Sequence, residues 1–213
     1  MLPIKGLLFD LDGVLVTTEH NHFLAWQRCA HSLDIPFTEN ENELLKGVSR
    51  VDSLKKILEL GNKTISSVEF EALLTSKNDF YLESIQALSS KDLLPGVAAL
   101  LQEAKNHGIL LGVGSSSKNA KFILRKLNLY SYFDAIVDGN SVKASKPDPE
   151  GFILASKLTK SNPEDCVVFE DSEAGIIAGN KINMTTIGIG VSNKLEIADK
   201  VYKRFEEIKL KEF

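Results

Sequence analysis

Ile4-Lys-Gly-Leu-Leu-Phe-Asp10-Leu-Asp12-Gly13-Val-Leu-Val-Thr-Thr18 begins with a short apolar run that stops at two carboxylates and a glycine. A run of that length, bounded so abruptly, reads as a buried parallel strand rather than a helix. Asp10 and Asp12 then stand at the strand's carboxyl end, the edge where open α/β sheets bind their ligands. Gly13 lets the chain turn sharply behind them. An Asp-Gly pair alone is common turn chemistry, so the functional reading depends on what the rest of the chain brings to the same edge.

The chain has 213 residues, 43% hydrophobic and 25% charged, which allows one sizeable core plus a smaller inserted unit. A net charge of -4, with no Lys/Arg run interleaved with aromatics, argues against a nucleic-acid partner. Any phosphate recognition must therefore come from a few placed cations. Cys29 and Cys166 are far apart in apolar surroundings, as expected for inert buried thiols in a reducing cytosol rather than a disulfide or zinc site. No stretch approaches the roughly 18 consecutive apolar residues of a membrane span, and Met1 leads into the first strand without a signal-peptide pattern. A cytoplasmic monomer with no membrane partner is the expectation.

Beyond the opening loop the periodicity becomes helical. Phe23, Trp26, Ala30 and Leu33 share one face between about residues 20 and 33; Val51, Leu54 and Leu58 mark a segment ending near Gly61; Phe70, Leu74, Tyr81 and Ile85 mark a longer one. From Pro95-Gly96 onward helices and strands alternate, with apolar strand runs at 109–113, 135–137, 166–169 and 187–189. This pattern predicts an α/β fold, a Rossmann-like parallel sheet core with helices on both faces and an inserted α-helical cap domain. The boundaries place residues 1–16 and 88–213 in the core and 17–87 in the cap. The Lys/Glu-rich tail after Tyr202 reads as a solvated end.

Three strand ends send polar groups to one edge: Asp10 with Asp12, the loop Ser115-Ser-Ser-Lys118-Asn119, and Glu170-Asp171. Lys146 joins them from Ala-Ser-Lys-Pro-Asp-Pro. The carboxylates of Asp10, Asp12, Glu170 and Asp171 in one crevice repel unless a cation sits among them, and oxygen ligands of this kind suit Mg²⁺. Beside such an ion Asp10 can attack phosphorus. Ser115, nearby backbone N–H groups and the Lys146 ammonium can neutralise the transferring phosphoryl group.

In order and spacing these motifs resemble those of the haloacid dehalogenase superfamily, and the resemblance covers nearly the whole chain. It implies Asp10 as nucleophile and Asp12 as general acid/base. A narrower likeness, carried by Lys46-Gly47-Val48-Ser49-Arg50, by Ser115 to Asn119, and by His22 with Trp26, is to the β-phosphoglucomutase family. It implies a sugar phosphate substrate and isomerisation of β-D-glucose 1-phosphate and glucose 6-phosphate through a bisphosphate. On that reading Arg50 and Lys118 form a second anion site, Ser117 and Asn119 add hydrogen bonds, Gly47 and Val48 offer backbone contacts to the sugar, and His22 couples the cap to Asp12.

Blander readings stand beside these. Arg50 can be the first turn of a solvated helix, Glu170-Asp171-Ser172 a helix cap, Trp26 core, and Lys77, a candidate substrate contact, a solvated lysine. Thr17 stands where related enzymes often carry an acid. A Mg²⁺-dependent phosphatase of a small phosphorylated metabolite shares every core motif, and a catalytically silent binding module is the third possibility.

Overall fold

The protein is described here by a computed structural model covering residues 4–213; Met1, which the sequence reading places at the entry to the first strand, lies outside the described residues. Six parallel strands form one sheet in the order β3-β2-β1-β4-β5-β6. They are β1 (Gly6–Phe9), β2 (Leu110–Gly114), β3 (Ala135–Val137), β4 (Cys166–Glu170), β5 (Thr185–Ile189) and β6 (Lys200–Tyr202). The helices α5 (Val97–Asn106), α6 (Ala120–Lys126), α7 (Glu150–Leu158) and α8 (Glu173–Asn180) make the crossovers that parallel strands require.

The opening strand is central, and Leu7, Leu8 and Phe9 are fully buried. Each such side chain contributes about 1.5–3 kcal/mol on leaving water, which is why the run is apolar at every position rather than alternating. In register, Phe9 lies beside Val113 of β2 and Phe169 of β4, and its ring stacks on Phe169 with centroids 4.9 Å apart. The chains leaving these three strands, at Asp10, Ser115 and Glu170, therefore emerge at one edge.

Two compact units emerge from the fold: Met1–Thr17 with Leu88–Phe213, and Thr18–Ala87. The second is wholly helical, comprising α1 (Glu19–His31), α2 (Glu39–Glu43), α3 (Arg50–Leu60) and α4 (Ser67–Ser84). Its own core gathers Trp26, Cys29, Ile35, Phe37, Leu54, Ile57 and Leu74. Local sequence sets its boundaries: Ser66 and Glu69 form a reciprocal capping box at the start of α4, and Thr38 and Glu41 do the same for α2. Helix α2 has five residues, too few to show a period.

The tail after Tyr202 is not a solvated end. Phe205, Ile208 and Leu210 are buried, and the Phe205 ring lies 5.6 Å from that of Phe169 and 6.4 Å from that of Phe9. Opposite it, Gly96 holds φ +86°, and a Cβ there would come within 2.6 Å of the Glu206 nitrogen. Three apolar residues among many charges decide the placement, because burial depends on which residues face inward and not on mean composition.

Replacing Phe205 by Ala is expected to cost about 3–5 kcal/mol of unfolding free energy, through lost burial and a cavity under the sheet. Val191→Ala, at a site 81% exposed, should stay within about 0.5 kcal/mol. Urea unfolding of both variants measures the difference, and equal effects would return the tail to solvent.

Candidate active site

Asp10 follows β1 directly, and its backbone N–H donates to the Phe169 carbonyl at 3.0 Å, so the ladder fixes where its side chain begins. The carboxylate is 8% exposed and is held by the Lys146 ammonium. The same ammonium lies 2.5 Å from Oε1 of Glu170, which is fully buried at the end of β4. Oε1 meets no donor of ordinary hydrogen-bond geometry and is compensated through charge. The other oxygen, Oε2, accepts from the Ser172 hydroxyl at 2.9 Å and from its backbone N–H at 3.3 Å. Ser172 is also the N-cap of α8, accepting from Gly175 N–H at 3.1 Å, so capping and support of the site are one arrangement.

Two carboxylates share one ammonium, so the cluster keeps one negative charge in excess. Burial alone would strip Lys146 of its proton, but Asp10 and Glu170 outweigh it and raise its pKa above that of an ordinary lysine. Burial also raises the Glu170 pKa, with Asp10 adding repulsion and Lys146 opposing both. Beneath the ammonium lies the Phe152 ring, 4.8 Å away, which adds a cation–π contact.

Asp12 lies in the tight turn after Asp10, bridged to Val16, with Gly13 N–H donating to the Val16 carbonyl at 2.7 Å. Gly13 has φ +83°, and a Cβ on it would fall 2.1 Å from Oδ2 of Asp171. The glycine is thus required twice, for its backbone and because the Asp171 carboxylate occupies the space above it. Asp171 is thereby brought to the Asp10–Asp12 loop, as the sequence predicts. Among the described residues no three acidic, His or Cys side chains are grouped closely enough to hold a metal. The oxygen chemistry of Asp10, Asp12, Glu170 and Asp171 fits a hard divalent ion such as Mg²⁺.

Ser115 is buried after β2, with its N–H donating to the Val137 carbonyl at 3.0 Å. Its hydroxyl oxygen accepts from Ser117 N–H at 3.1 Å, and the Ser117 hydroxyl oxygen accepts from Asn119 N–H at 3.2 Å. Each serine oxygen thus accepts from within the loop, and its own proton stays available to donate. Lys118 is exposed beside them.

In the helical unit Arg50 is the first residue of α3 and is partly buried, its N-cap Ser49 accepting from Asp52 N–H at 3.2 Å. Burial lowers its pKa, opposed by Tyr81 and Asp79. Gly47 holds φ +72°, a conformation that favours glycine, and Val48 N–H closes the turn on the Leu45 carbonyl at 3.1 Å. Lys46 is paired with Glu19 at 2.8 Å and Glu43 at 2.9 Å.

Lys77 is not the solvated lysine of the sequence reading. It is 3% exposed, 4.7 Å from the centroids of both the Trp26 and Tyr81 rings, and 2.9 Å from Nδ1 of His22. Lysine has no acceptor, so Nδ1 of His22 must accept and the ring is neutral, with its proton on Nε2. Desolvation first, then Lys77 and Arg50, press the His22 pKa well below 6.5. Tyr81, whose hydroxyl is 2.8 Å from Thr18 Oγ1 and whose ring lies 4.1 Å from that of His22, completes this cluster. Sequence reading missed its polar role because Tyr81 sits on the apolar stripe of α4. It also missed Ser172 as a partner of Glu170.

A parallel sheet that sets two carboxylates against a lysine at its carboxyl edge, with a helical insertion after its first strand, is the architecture of a defined class of α/β enzymes. The chain belongs to the haloacid dehalogenase-like hydrolase family, whose model matches residues 4–183. It is 41% identical over 209 residues to a beta-phosphoglucomutase of Bacillus subtilis, spanning 97% of this chain and 92% of that protein. It is 32% identical to a phosphorylated carbohydrates phosphatase of Thermotoga maritima, over 86% of this chain and 84% of that one. The crystal structure of a beta-phosphoglucomutase from Clostridium difficile superposes with TM-score 0.95 at 38% identity, covering 98% of this chain and 95% of that one.

Because His22 is neutral in the folded protein and protonates when unfolded, the unfolded state binds more protons below about pH 6.5 and stability falls as pH drops. The limiting slope is about 1.4 kcal/mol per pH unit. Urea midpoints at pH 5 and pH 7 should therefore differ more for the native chain than for His22→Gln. Parallel behaviour of the two would place a protonated imidazole in the fold.

Lys146→Met leaves two buried carboxylates without their cation and should cost about 3–5 kcal/mol in urea unfolding at pH 7. The loss should shrink on acidification as Glu170, whose pKa is already raised, takes up a proton. A pH-independent loss would count against the ion triad.

Proposed function

We propose that the chain interconverts β-D-glucose 1-phosphate and D-glucose 6-phosphate through an aspartyl phosphate on Asp10 and a β-glucose 1,6-bisphosphate intermediate. The observation that carries the reading is Arg50 at the start of α3, preceded by the left-handed Gly47 turn. A phosphatase needs one phosphoryl-binding group, and the Asp10, Ser115, Lys146 edge already supplies it. A second planar cation suited to phosphate is what an isomerase handling a bisphosphate requires. The identity to the Bacillus subtilis beta-phosphoglucomutase supports the same assignment.

The chemistry follows from the side chains. An oxygen of Asp10 attacks phosphorus, the bond from phosphorus to the sugar oxygen breaks, and Asp12 gives that oxygen its proton. In the reverse sense the other sugar hydroxyl gives its proton to Asp12 and attacks the aspartyl phosphate. Lys146 and the Ser115 hydroxyl neutralise the equatorial oxygens throughout. Mg²⁺, held by Asp10 and Asp171 with Asp12 and Glu170 at the same edge, would add charge compensation at the transferring group. Lys118 with Ser117 and Asn119, and Arg50 with the Gly47 and Val48 backbone, bind the phosphate and sugar not undergoing transfer. His22, fixed as an Nε2–H donor, orients rather than shuttles protons.

The second reading is a Mg²⁺-dependent phosphatase of a phosphorylated sugar, favoured by the identity to the Thermotoga maritima carbohydrate phosphatase. With β-glucose 1-phosphate and a trace of the bisphosphate, glucose 6-phosphate should form faster than inorganic phosphate is released. Asp10→Asn should abolish both, and Arg50→Ala should slow isomerisation about 10- to 100-fold while leaving slow phosphate release. Phosphate release dominating in the native enzyme would decide for the phosphatase.

A further inference from the structure

The loop 115–119 is braced from behind by a segment that the proposed chemistry does not use. Asp138, Gly139 and Asn140 follow β3 directly. Gly139 N–H donates to the Ser117 carbonyl at 3.1 Å, and a Cβ on Gly139 would fall 2.4 Å from the Ser116 carbonyl oxygen, so that oxygen already lies against it. The Asn140 side-chain amide donates to the Lys118 carbonyl at 3.0 Å. Three successive carbonyls, of residues 116, 117 and 118, thus turn toward the same short segment.

In a trans peptide the carbonyl of one residue and the N–H of the next point in opposite directions. With the carbonyls of 116–118 drawn to one side, the N–H groups of 117–119 are directed to the other. The opposite face of the loop therefore presents hydrogen-bond donors: the Ser115 and Ser117 protons and the Lys118 N–H. Asp138 anchors the brace. It is 2% exposed, and it accepts from the Ser141 hydroxyl at 2.8 Å, from Asn140 N–H at 3.1 Å and from the Asn140 amide at 3.4 Å. It also pairs with Lys121 at 3.4 Å, which leaves Lys118 as the lysine of this segment not committed to Asp138.

We propose that Asn140, seated on Gly139 and anchored by Asp138, is a positioning residue that sets the polarity of the 115–119 loop, holding its carbonyls away from a bound phosphoryl group and its donors toward it. This rests on the reading of that loop as the phosphoryl-binding element. Asn140 touches no substrate; it acts through the Lys118 peptide. Without its amide the Lys118 carbonyl is released, and rotation of the 118–119 peptide takes the Asn119 N–H off the Ser117 hydroxyl oxygen and turns an acceptor toward the anion.

The test titrates inorganic phosphate into ¹⁵N-labelled protein and follows the backbone amides of Ser117, Lys118 and Asn119, alongside the KM and kcat for phosphate release from a sugar phosphate. Asn140→Ala should weaken phosphate binding about tenfold and raise KM similarly, with kcat within about twofold. Asn140→Asp, which sets an acceptor against a carbonyl, should weaken binding further, and Gly139→Ala should move the same amide resonances even without phosphate. Wild-type phosphate affinity in Asn140→Ala, or a fall in kcat with affinity unchanged, overturns the proposal. So does a wild-type loop whose amides ignore phosphate. Amides that respond in a protein that isomerises nothing would instead leave the brace standing and remove the mutase reading.

Discussion

One ammonium group holds the carboxyl edge of the sheet together. Lys146, buried over Phe152, satisfies Asp10 from one strand and Glu170 from its neighbour. Two carboxylates taken from water at this separation would repel by several kcal/mol in a low-dielectric interior. The lysine converts that repulsion into a crosslink between the ends of β1 and β4. Much else is arranged to sustain it: Ser172 and Gly175 cradle Glu170, and the Phe169 carbonyl sets the backbone of Asp10. The triad keeps one negative charge in excess, so a divalent cation would relieve it, and an anion entering beside Lys146 would share the ammonium with Asp10 and Glu170.

Much of this was legible in the residues. Strands buried on both faces are apolar throughout, so β1, β2 and β4 announced themselves and their ends placed Asp10, Ser115 and Glu170 at one edge. The helical unit was legible because α1, α3 and α4 are long enough to show a period. What failed did so for identifiable reasons. Strand β6 has three residues and two of them are exposed, so it carries no apolar run. In the tail, charge outnumbers the few residues that pack. Lys77 looked solvated because sequence reports the chemistry of a side chain and not the aromatic faces and imidazole that surround it.

The four acidic residues show a subtler limit. Counting carboxylates toward one crevice predicted a shared cation and set Lys146 beside them, but sequence could not tell that Asp10 and Glu170 would both close on that one lysine. Asp138 is the complementary lesson. It ends β3 as Glu170 ends β4, yet its partners are Ser141, Asn140 and Lys121, and it serves the loop beside it rather than the reacting centre. Position at a strand end nominates a residue for function; only its partners assign the task.

The order in which the sheet is laid down has a consequence for synthesis on the ribosome. Its middle strand is made before the others, yet one flanking strand arrives only with Cys166, after about three-quarters of the chain. The helices of residues 18–87 carry their own apolar interior and can close while that strand is still waiting. While it waits, the apolar ribbon Leu7-Leu8-Phe9 can pair with β2 on one side only, and its other edge stays open. The inserted segment stands between the ribbon and its eventual partners in time as well as in sequence.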